Sequence, residues 1–244
     1  MKIFKNNNTL YYSLLPEVQL NDKKEEKFFL EESNRQSSCW FKNLPIFINK
    51  ASTLIDYFNI LHNKEAATIP GETAKVCPAI QSVLDNSILI KTPADIAITI
   101  DSTGSYSWEV SSNRMIYLEE HILEQVGSGK DTIFKNNVIL KLCYRAVISS
   151  GGRYPYIFLQ PHYHNKLPIS IVNGIVPPSY SKNWVDLNII MLLEVPKEGV
   201  ETHIIKSGAV IAYLWAPQKL KLRNTEYSSI PPSIRRRFLG GVKT

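Results

Sequence analysis

Cysteine is scarce in this sequence, and its placement argues against two classes of stabilised domain. Cys39, Cys77 and Cys143 are far apart, odd in number and form no CxxC pair. A structural zinc site or a disulfide framework needs closely spaced or evenly numbered cysteines. We therefore expect free, mostly buried thiols. Lys141 and Arg145 flank Cys143 at alternating positions, which leaves a reactive thiol as the alternative there.

Long apolar runs are also missing. No stretch of about 18 uncharged apolar residues occurs, which is the length that a membrane-spanning helix requires. Residues 1–6 contain no apolar stretch followed by a small-residue cleavage site, so we predict no secretory signal. The sequence predicts an intracellular protein without membrane partners.

The motifs of common catalytic sites are incomplete. No GxSxG string surrounds a serine. Residues 127–132 read GSGKDT, which lacks the first glycine of a phosphate-binding loop and the Ser or Thr directly after its lysine. We interpret this segment as a solvated turn. The sequence favours a protein that is not an enzyme, leaves activity open, and predicts no cofactor.

The charge of the chain is positive and unevenly distributed. The net charge is +6, with 44% hydrophobic and 20% charged residues, as in a globular protein with a core. The cations concentrate near the end, at Lys219–Arg223 and Arg235–Arg237. Such a segment can bind either nucleic acid or an acidic protein surface.

The dominant sequence pattern is that of β-strands. Ile96, Ile98 and Ile100 alternate with smaller or polar residues, and a turn at residues 101–105 leads into a returning strand at 106–110, which predicts a hairpin. Further strand candidates are residues 9–15, 138–148, 156–159, 169–172, 185–191 and 209–215. Short strands separated by Gly, Pro and Asn predict a mainly β protein, an antiparallel sandwich or barrel.

Two short helices are predicted in the N-terminal third. Leu54, Ile55, Phe58 and Leu61 repeat at helical spacing within residues 52–63, and a second helix is predicted at 78–84, with Pro78 in its first turn. We divide the chain into an irregular segment 1–45, a β-rich domain 46–222 and a basic arm 223–244.

His162 and His164 form the clearest candidate for a metal-binding pair. Two residues apart on a strand, their imidazoles would face one side, and Glu201 and His203 could complete a site. The alternative is an aromatic loop whose histidines bind backbone or water. We favour that alternative and predict no metal.

Several short strings occur in combination along the chain: AKVCPAI at 74–80 with ILIKTPADI at 88–96, the aromatic segment 154–161, ISIVNGIV at 169–176, and IKSGAVIAY at 205–213. Together they resemble an uncharacterised family found in tailed bacteriophages and some bacteria. The resemblance covers most of residues 40–222. It implies no particular activity.

The last two strings also resemble the β-clip fold of dUTPases and dCTP deaminases. In those enzymes an aspartate follows the first string and a glutamine ends the second, whereas this chain has Pro177 and Tyr213 there. Proline can neither ionise nor accept a proton, so it cannot activate water. The resemblance therefore implies a β-clip-like fold and argues against dUTP hydrolysis. The residues that could line a pocket are Tyr154, Tyr156, His162, His164, Gly174, Tyr180, Gly208 and Tyr213.

Three functions follow from these patterns. The first is a non-catalytic bacteriophage structural or assembly protein, present in the virion and in the host cytoplasm, that binds other phage proteins or its own copies. The second is a nucleotide-binding protein of β-clip type. The third is an effector that binds a host protein or nucleic acid. The arm contacts would be Tyr227, Arg235, Arg236, Arg237 and Phe238.

Overall fold

A computed structural model describes residues 9–15, 29–33, 47–49, 70–72, 77–111, 115–121, 136–162, 164, 167–232 and 235. The helix predicted at residues 52–63 lies outside these residues, as do Cys39, Arg236, Arg237 and Phe238. Within the described part, the chain is mainly β with antiparallel sheets, which confirms the predicted fold class.

Strands account for most of the described elements. In chain order they are β1 (Thr9–Leu14), β2 (Leu30–Glu32), β3 (Phe47–Asn49), β4 (Pro70–Glu72), β5 (Ser87–Lys91), β6 (Ile96–Asp101), β7 (Tyr106–Val110), β8 (Ile116–Glu120), β9 (Asn137–Ser149), β10 (Tyr156–Leu159), β11 (Ser170–Ile171), β12 (Gly174–Val176), β13 (Val185–Glu194), β14 (Val200–Ile205), β15 (Val210–Trp215) and β16 (Lys221–Asn224). The helices are α1 (Pro78–Asn86) and α2 (Pro178–Ser181), with a 3₁₀ turn at Tyr227–Ser229.

The chain folds into two compact units, of which the smaller is Ser33–Ser87. In this unit β3 and β4 pair antiparallel. Helix α1 confirms the second predicted helix and ends two residues beyond its predicted end. Pro78 stands in the first turn, where a missing N–H costs no intrahelical bond, and Leu84 is buried.

The larger unit, Met1–Glu32 with Ile88–Thr244, contains a six-stranded sheet organised around β9. One edge of β9 pairs with β13, and the other edge pairs first with β8 and then with β1. β11 lies beyond β13, and β16 runs parallel to β1. The long β9 strand therefore joins segments that are distant in the sequence.

Two further sheets complete this unit. The five-stranded sheet has the order β12-β10-β15-β5-β2, and the three-stranded sheet has the order β14-β6-β7. The predicted hairpin is β6–β7. The three-stranded and six-stranded sheets share one hydrophobic core. Its members from β6, β9 and β13 include Ile96, Ile98, Ile100, Leu140, Leu142, Leu187 and Ile189.

A second, smaller hydrophobic cluster lies on the other face of the six-stranded sheet. It joins Tyr11 of β1, Val147 of β9, Trp184, Tyr227 and Ile230. Val147 alternates with Ala146 and Ile148 of the main core, which places this cluster on the opposite side of the sheet. The chain after β16 thus packs back onto its own sheet. We call this group the outer cluster.

Candidate functional site

The structure brings His164 and Tyr213 of the proposed pocket into direct contact. Tyr213 is a buried residue of β15, and His164 follows β10, the strand paired with β15. Nδ1 of His164 lies 2.6 Å from the Tyr213 hydroxyl, and the rings meet edge to face with 5.3 Å between their centroids. We refer to this contact as the His164–Tyr213 site.

Burial keeps the His164 imidazole neutral. It lowers the pKa of His164, the positive charge of Lys91 lowers it further, and Glu31 acts in the opposite direction. Nε2 of His164 is buried and has no hydrogen-bond partner among the described residues. A neutral imidazole has one nitrogen that donates and one that accepts a hydrogen bond, and here Nδ1 is paired with the Tyr213 hydroxyl.

Lys91 and Glu31 extend the polar site towards solvent. They form an ion pair between the neighbouring strands β5 and β2. The Lys91 backbone carbonyl also accepts a hydrogen bond from the Tyr144 hydroxyl at 3.0 Å. Sequence reasoning missed both residues, because 60 positions separate this pair and no motif links it to His164.

Tyr154 and Tyr156, also assigned to the pocket, are core residues. The Tyr154 hydroxyl donates to the backbone carbonyl of Thr9 at 2.9 Å, which ties the turn after β9 to β1. Tyr156 is fully buried in β10, and its hydroxyl has no hydrogen-bond partner in the described part of the chain. Burial raises the pKa of both phenols, so both stay protonated.

His162 and His164 lie in a turn and not on a strand. Their spacing of two residues therefore does not place both imidazoles on one side, as a shared metal would need. The N–H of His162 donates to the Gln160 carbonyl, and the side chain of His162 is exposed, whereas His164 is half-buried. The third-ligand candidates Glu201 and His203 lie on β14, 3.8 Å apart between Oε2 and Nε2. Among the described residues, no group of three His, Cys, Asp or Glu could hold a metal ion.

Gly174, Tyr180 and Gly208 lie at separate places. Gly174 begins β12, opposite Phe158 of β10, and Tyr180 in α2 is 67% exposed. Gly208 has a φ of +82° in the turn before β15, and its N–H donates to the Thr92 carbonyl at 2.7 Å. Tyr213 follows Gly208 by five residue steps, which correspond to about 16 Å at roughly 3.3 Å per residue in a strand. Gly208 and Tyr213 therefore do not share one small site.

The turn around Gly208 is organised by Asp95. Its carboxylate accepts hydrogen bonds from Lys206 Nζ at 2.9 Å and from the Ser207 N–H at 2.7 Å. These bonds lower the pKa of Asp95, with the Lys206 contribution the largest. Asp95 therefore acts as an acceptor that shapes the turn.

The first of the arm residues, Tyr227, is buried in the outer cluster. Its hydroxyl donates to the carbonyl of Arg235 at 3.3 Å. Burial raises the pKa of Tyr227, and the charge of Arg235 partly opposes this. Tyr227 thus holds the arm to its own chain, and Arg235 is the last arm residue that the structure describes.

Comparisons with known proteins complete the description of these surfaces. No family model matches the chain, and no curated protein and no solved structure is significantly similar to it. None of the helices in the described ranges is both long and apolar enough to cross a bilayer.

Proposed function

We propose that the protein is a non-catalytic structural or assembly component of a bacteriophage particle, which binds neighbouring subunits through its terminal segments. The observation that carries this proposal is that the C-terminal segment, residues 219–244, is anchored to the rest of the chain near its start. Tyr227 is 5% exposed and Ile230 is 1% exposed, although both follow the last strand. A segment that binds a neighbour loses less entropy when its start is already fixed.

The anchor consists of several independent contacts. β16 pairs in parallel with β1 from Lys221 to Asn224, and the Thr225 N–H donates to the Tyr12 carbonyl at 2.8 Å. Burying the ring of Tyr227 contributes about 1.5–3 kcal/mol. The cationic residues that follow therefore begin from a defined point on the six-stranded sheet.

The charge of the chain lies in this same segment. Residues 219–244 contain seven Lys or Arg residues and one Glu, so their net charge of +6 equals that of the whole protein. The remaining residues carry equal numbers of Lys or Arg and of Asp or Glu. A neutral body with one cationic segment supports binding through that segment.

The polar groups of the interior favour binding over catalysis. Nε2 of His164 faces protein atoms, so a substrate in solvent does not reach it. Burial raises the pKa of Cys143 to about 12, and the nearby Lys141 only partly opposes this. A protonated thiol is a poor nucleophile at neutral pH, so Cys143 supports a structural role.

A second exposed surface is suited to contact with a neighbour. β12 is the edge strand of the five-stranded sheet, and Ile175 in its centre is 67% exposed. Tyr180, also 67% exposed, follows five residues later. Exposed apolar side chains beside an open strand edge are typical of protein contacts.

Truncation of the arm tests the proposal. A chain that ends at Arg235 keeps Tyr227, Ile230 and the Arg235 oxygen that accepts the Tyr227 hydrogen bond, which then belongs to the terminal carboxylate. We expect it to fold with an unchanged Tm and to be lost from particles assembled in infected cells. A full-length Arg236→Gln/Arg237→Gln variant separates the effect of charge from that of length. Normal incorporation of both variants would contradict the proposal.

Ligand addition separates this proposal from the two alternatives. A nucleotide-binding protein gains about 2.7 kcal/mol of stability at a ligand concentration 100 times its Kd, which raises Tm. We expect no such rise with any deoxynucleoside triphosphate. A rise would favour the nucleotide-binding alternative, and tight, salt-dependent nucleic-acid binding through the arm would favour the effector.

A further inference from the structure

The edge strands β7 and β8 form an open side of the larger unit. β7 pairs with β6, β8 pairs with β9, and neither pairs with a second strand among those described. Tyr106 and Trp108 of β7 lie opposite Ile100 and Ile98 of β6, so they extend the core-facing side of the three-stranded sheet to its edge. We call Tyr106, Trp108 and Glu120 the β7–β8 edge.

Aromatic side chains remain accessible at this edge. Trp108 is 37% exposed, and its ring stacks on Tyr106 with 5.8 Å between centroids and an interplanar angle of 19°. The Glu120 carboxylate of β8 lies near the Tyr106 hydroxyl. Burial, together with this contact, raises the pKa of Tyr106 to about 12, so its hydroxyl stays protonated beside the carboxylate. The edge thus combines an exposed indole with an exposed carboxylate.

The three strands β6, β7 and β8 carry only acidic charges in a protein that is basic overall. β6, β7 and β8 contain no Lys or Arg and four carboxylates, which are Asp101, Glu109, Glu119 and Glu120. Glu119 pairs with Lys141, whereas no described Lys or Arg forms an ion pair with Glu109 or Glu120. Asp101 and Glu109 alternate onto the other face of the sheet, and Arg145 lies 5.3 Å from the Tyr117 ring centroid of β8. Glu120 is therefore the carboxylate beside the aromatic rings whose charge is opposite to that of residues 219–244.

We infer that the β7–β8 edge of one copy is the docking site for the basic residues that follow the anchored Arg235, residues 236–238, of a second copy. Guanidinium groups stack on indole rings and bind carboxylates, and tryptophan and arginine are the residues that most often dominate interfaces. The inference rests on the proposed assembly function and names the partner surface.

The position of the anchor explains why the occupant is a second copy. Tyr227, which holds Arg235, lies on the outer face of the six-stranded sheet. Tyr106 and Trp108 lie on the core-facing side of another sheet. An arm that starts on the outer face meets the corresponding edge of a neighbour without passing around its own sheet. The contact also places cations of the basic segment beside a carboxylate.

Mixing two single-defect variants tests the inference directly. One variant is Trp108→Ala/Glu120→Gln with an intact arm, and the other ends at Arg235 with an intact edge. Native mass spectrometry and sedimentation velocity should show self-association of the wild type that weakens with salt. Each variant alone should associate at least about tenfold more weakly, as expected for loss of a central interface anchor. The mixture should restore a heterodimer, because one intact arm then meets one intact edge.

Matched variants and the contrary outcomes complete the test. Val200→Ala/Glu194→Gln removes an exposed apolar side chain and an exposed carboxylate outside the proposed contact surfaces, and should associate like the wild type. The inference would be overturned if the wild type is monomeric at all concentrations or associates only when nucleic acid is added. It would also be overturned if the edge variant and the truncated variant each associate as strongly as the wild type. Failure to restore a heterodimer on mixing would do the same. A chain that is monomeric but present in particles would contradict the inference while leaving the proposed function intact.

Discussion

His164 and Cys143 carry chemically versatile groups, and their surroundings decide what each can do. His164 is half-buried against Tyr213, which favours a neutral ring that accepts or donates one hydrogen bond. Cys143 faces Lys141, but it is 2% exposed, and burial outweighs the nearby charge. At the residue scale, burial therefore outweighs the neighbouring charges at both groups. The flanking cations Lys141 and Arg145 indicated a reactive thiol at Cys143, whereas the spacing of residues does not show how deeply the thiol is buried.

The lowered pKa of His164 predicts a loss of stability in acid. The unfolded chain binds a proton near pH 6.5, and the folded chain does so at lower pH, so stability falls as pH decreases through this range. His164→Gln removes the titration, so its stability relative to the wild type should improve between pH 8 and pH 5. Urea unfolding at several pH values measures this difference. His162→Gln, which changes an exposed imidazole in the same turn, is the control. A constant difference between His164→Gln and the wild type would show that His164 does not carry the effect.

The raised pKa of Cys143 predicts a thiol that is inert in the folded protein. Iodoacetamide at pH 8 should leave Cys143 unmodified, because little thiolate exists and the side chain is buried. Peptide mass spectrometry measures the labelling. Denaturation in urea should allow complete modification and is the positive control. Rapid labelling in the native state would contradict the assigned surroundings of Cys143.

At the scale of elements, local patterns predicted the strands better than their partners. Alternation of Ile96, Ile98 and Ile100 was enough to predict β6, and Pro78 marked the start of α1. The parallel pairing of β1 with β16 joins Thr9 to Lys221, and no local pattern encodes such a contact. The His164–Tyr213 site depends on another long-range pairing, between β10 and β15. His164 and Tyr213 were each candidates from the sequence, but their contact was not, and neither were Lys91 and Glu31.

The anchor of the C-terminal segment should be worth several kcal/mol. Tyr227→Ala empties part of the outer cluster, and we expect the free energy of unfolding to fall by about 3 kcal/mol. Tyr180→Ala removes the same ring from an exposed position and should change stability by less than about 0.5 kcal/mol. Chemical denaturation compares the two. Equal effects would mean that Tyr227 does not hold the segment.

The turn that joins β9 to β10 also depends on a glycine. Gly152 has a φ of +77°, and a Cβ there would lie 2.7 Å from the Cβ of Lys182, just after α2. Gly199 has a similar φ of +73° but open space around it. Gly152→Ala should cost about 2–3 kcal/mol, and Gly199→Ala about 1 kcal/mol, since only the first adds a clash to the backbone strain. Thermal and urea unfolding measure both, and an equal cost would exclude the close contact.

At the scale of the whole molecule, the protein consists of an electrically balanced body and a basic C-terminal segment. The body is electrically balanced, and the last 26 residues carry its entire net charge. The described part of that segment is anchored on the outer cluster, and the β7–β8 edge offers carboxylates and an exposed indole. The sequence predicted that the end is basic, but the anchor and the acidic edge depend on pairings between distant segments.

The copy number of the protein in purified phage particles tests the assembly function most directly. Quantitative mass spectrometry against labelled peptides gives that number relative to a major capsid protein. We predict a fixed copy number that matches a rotational symmetry of the particle and is lost when the chain ends at Arg235. Absence of the full-length protein from purified particles would contradict a structural role.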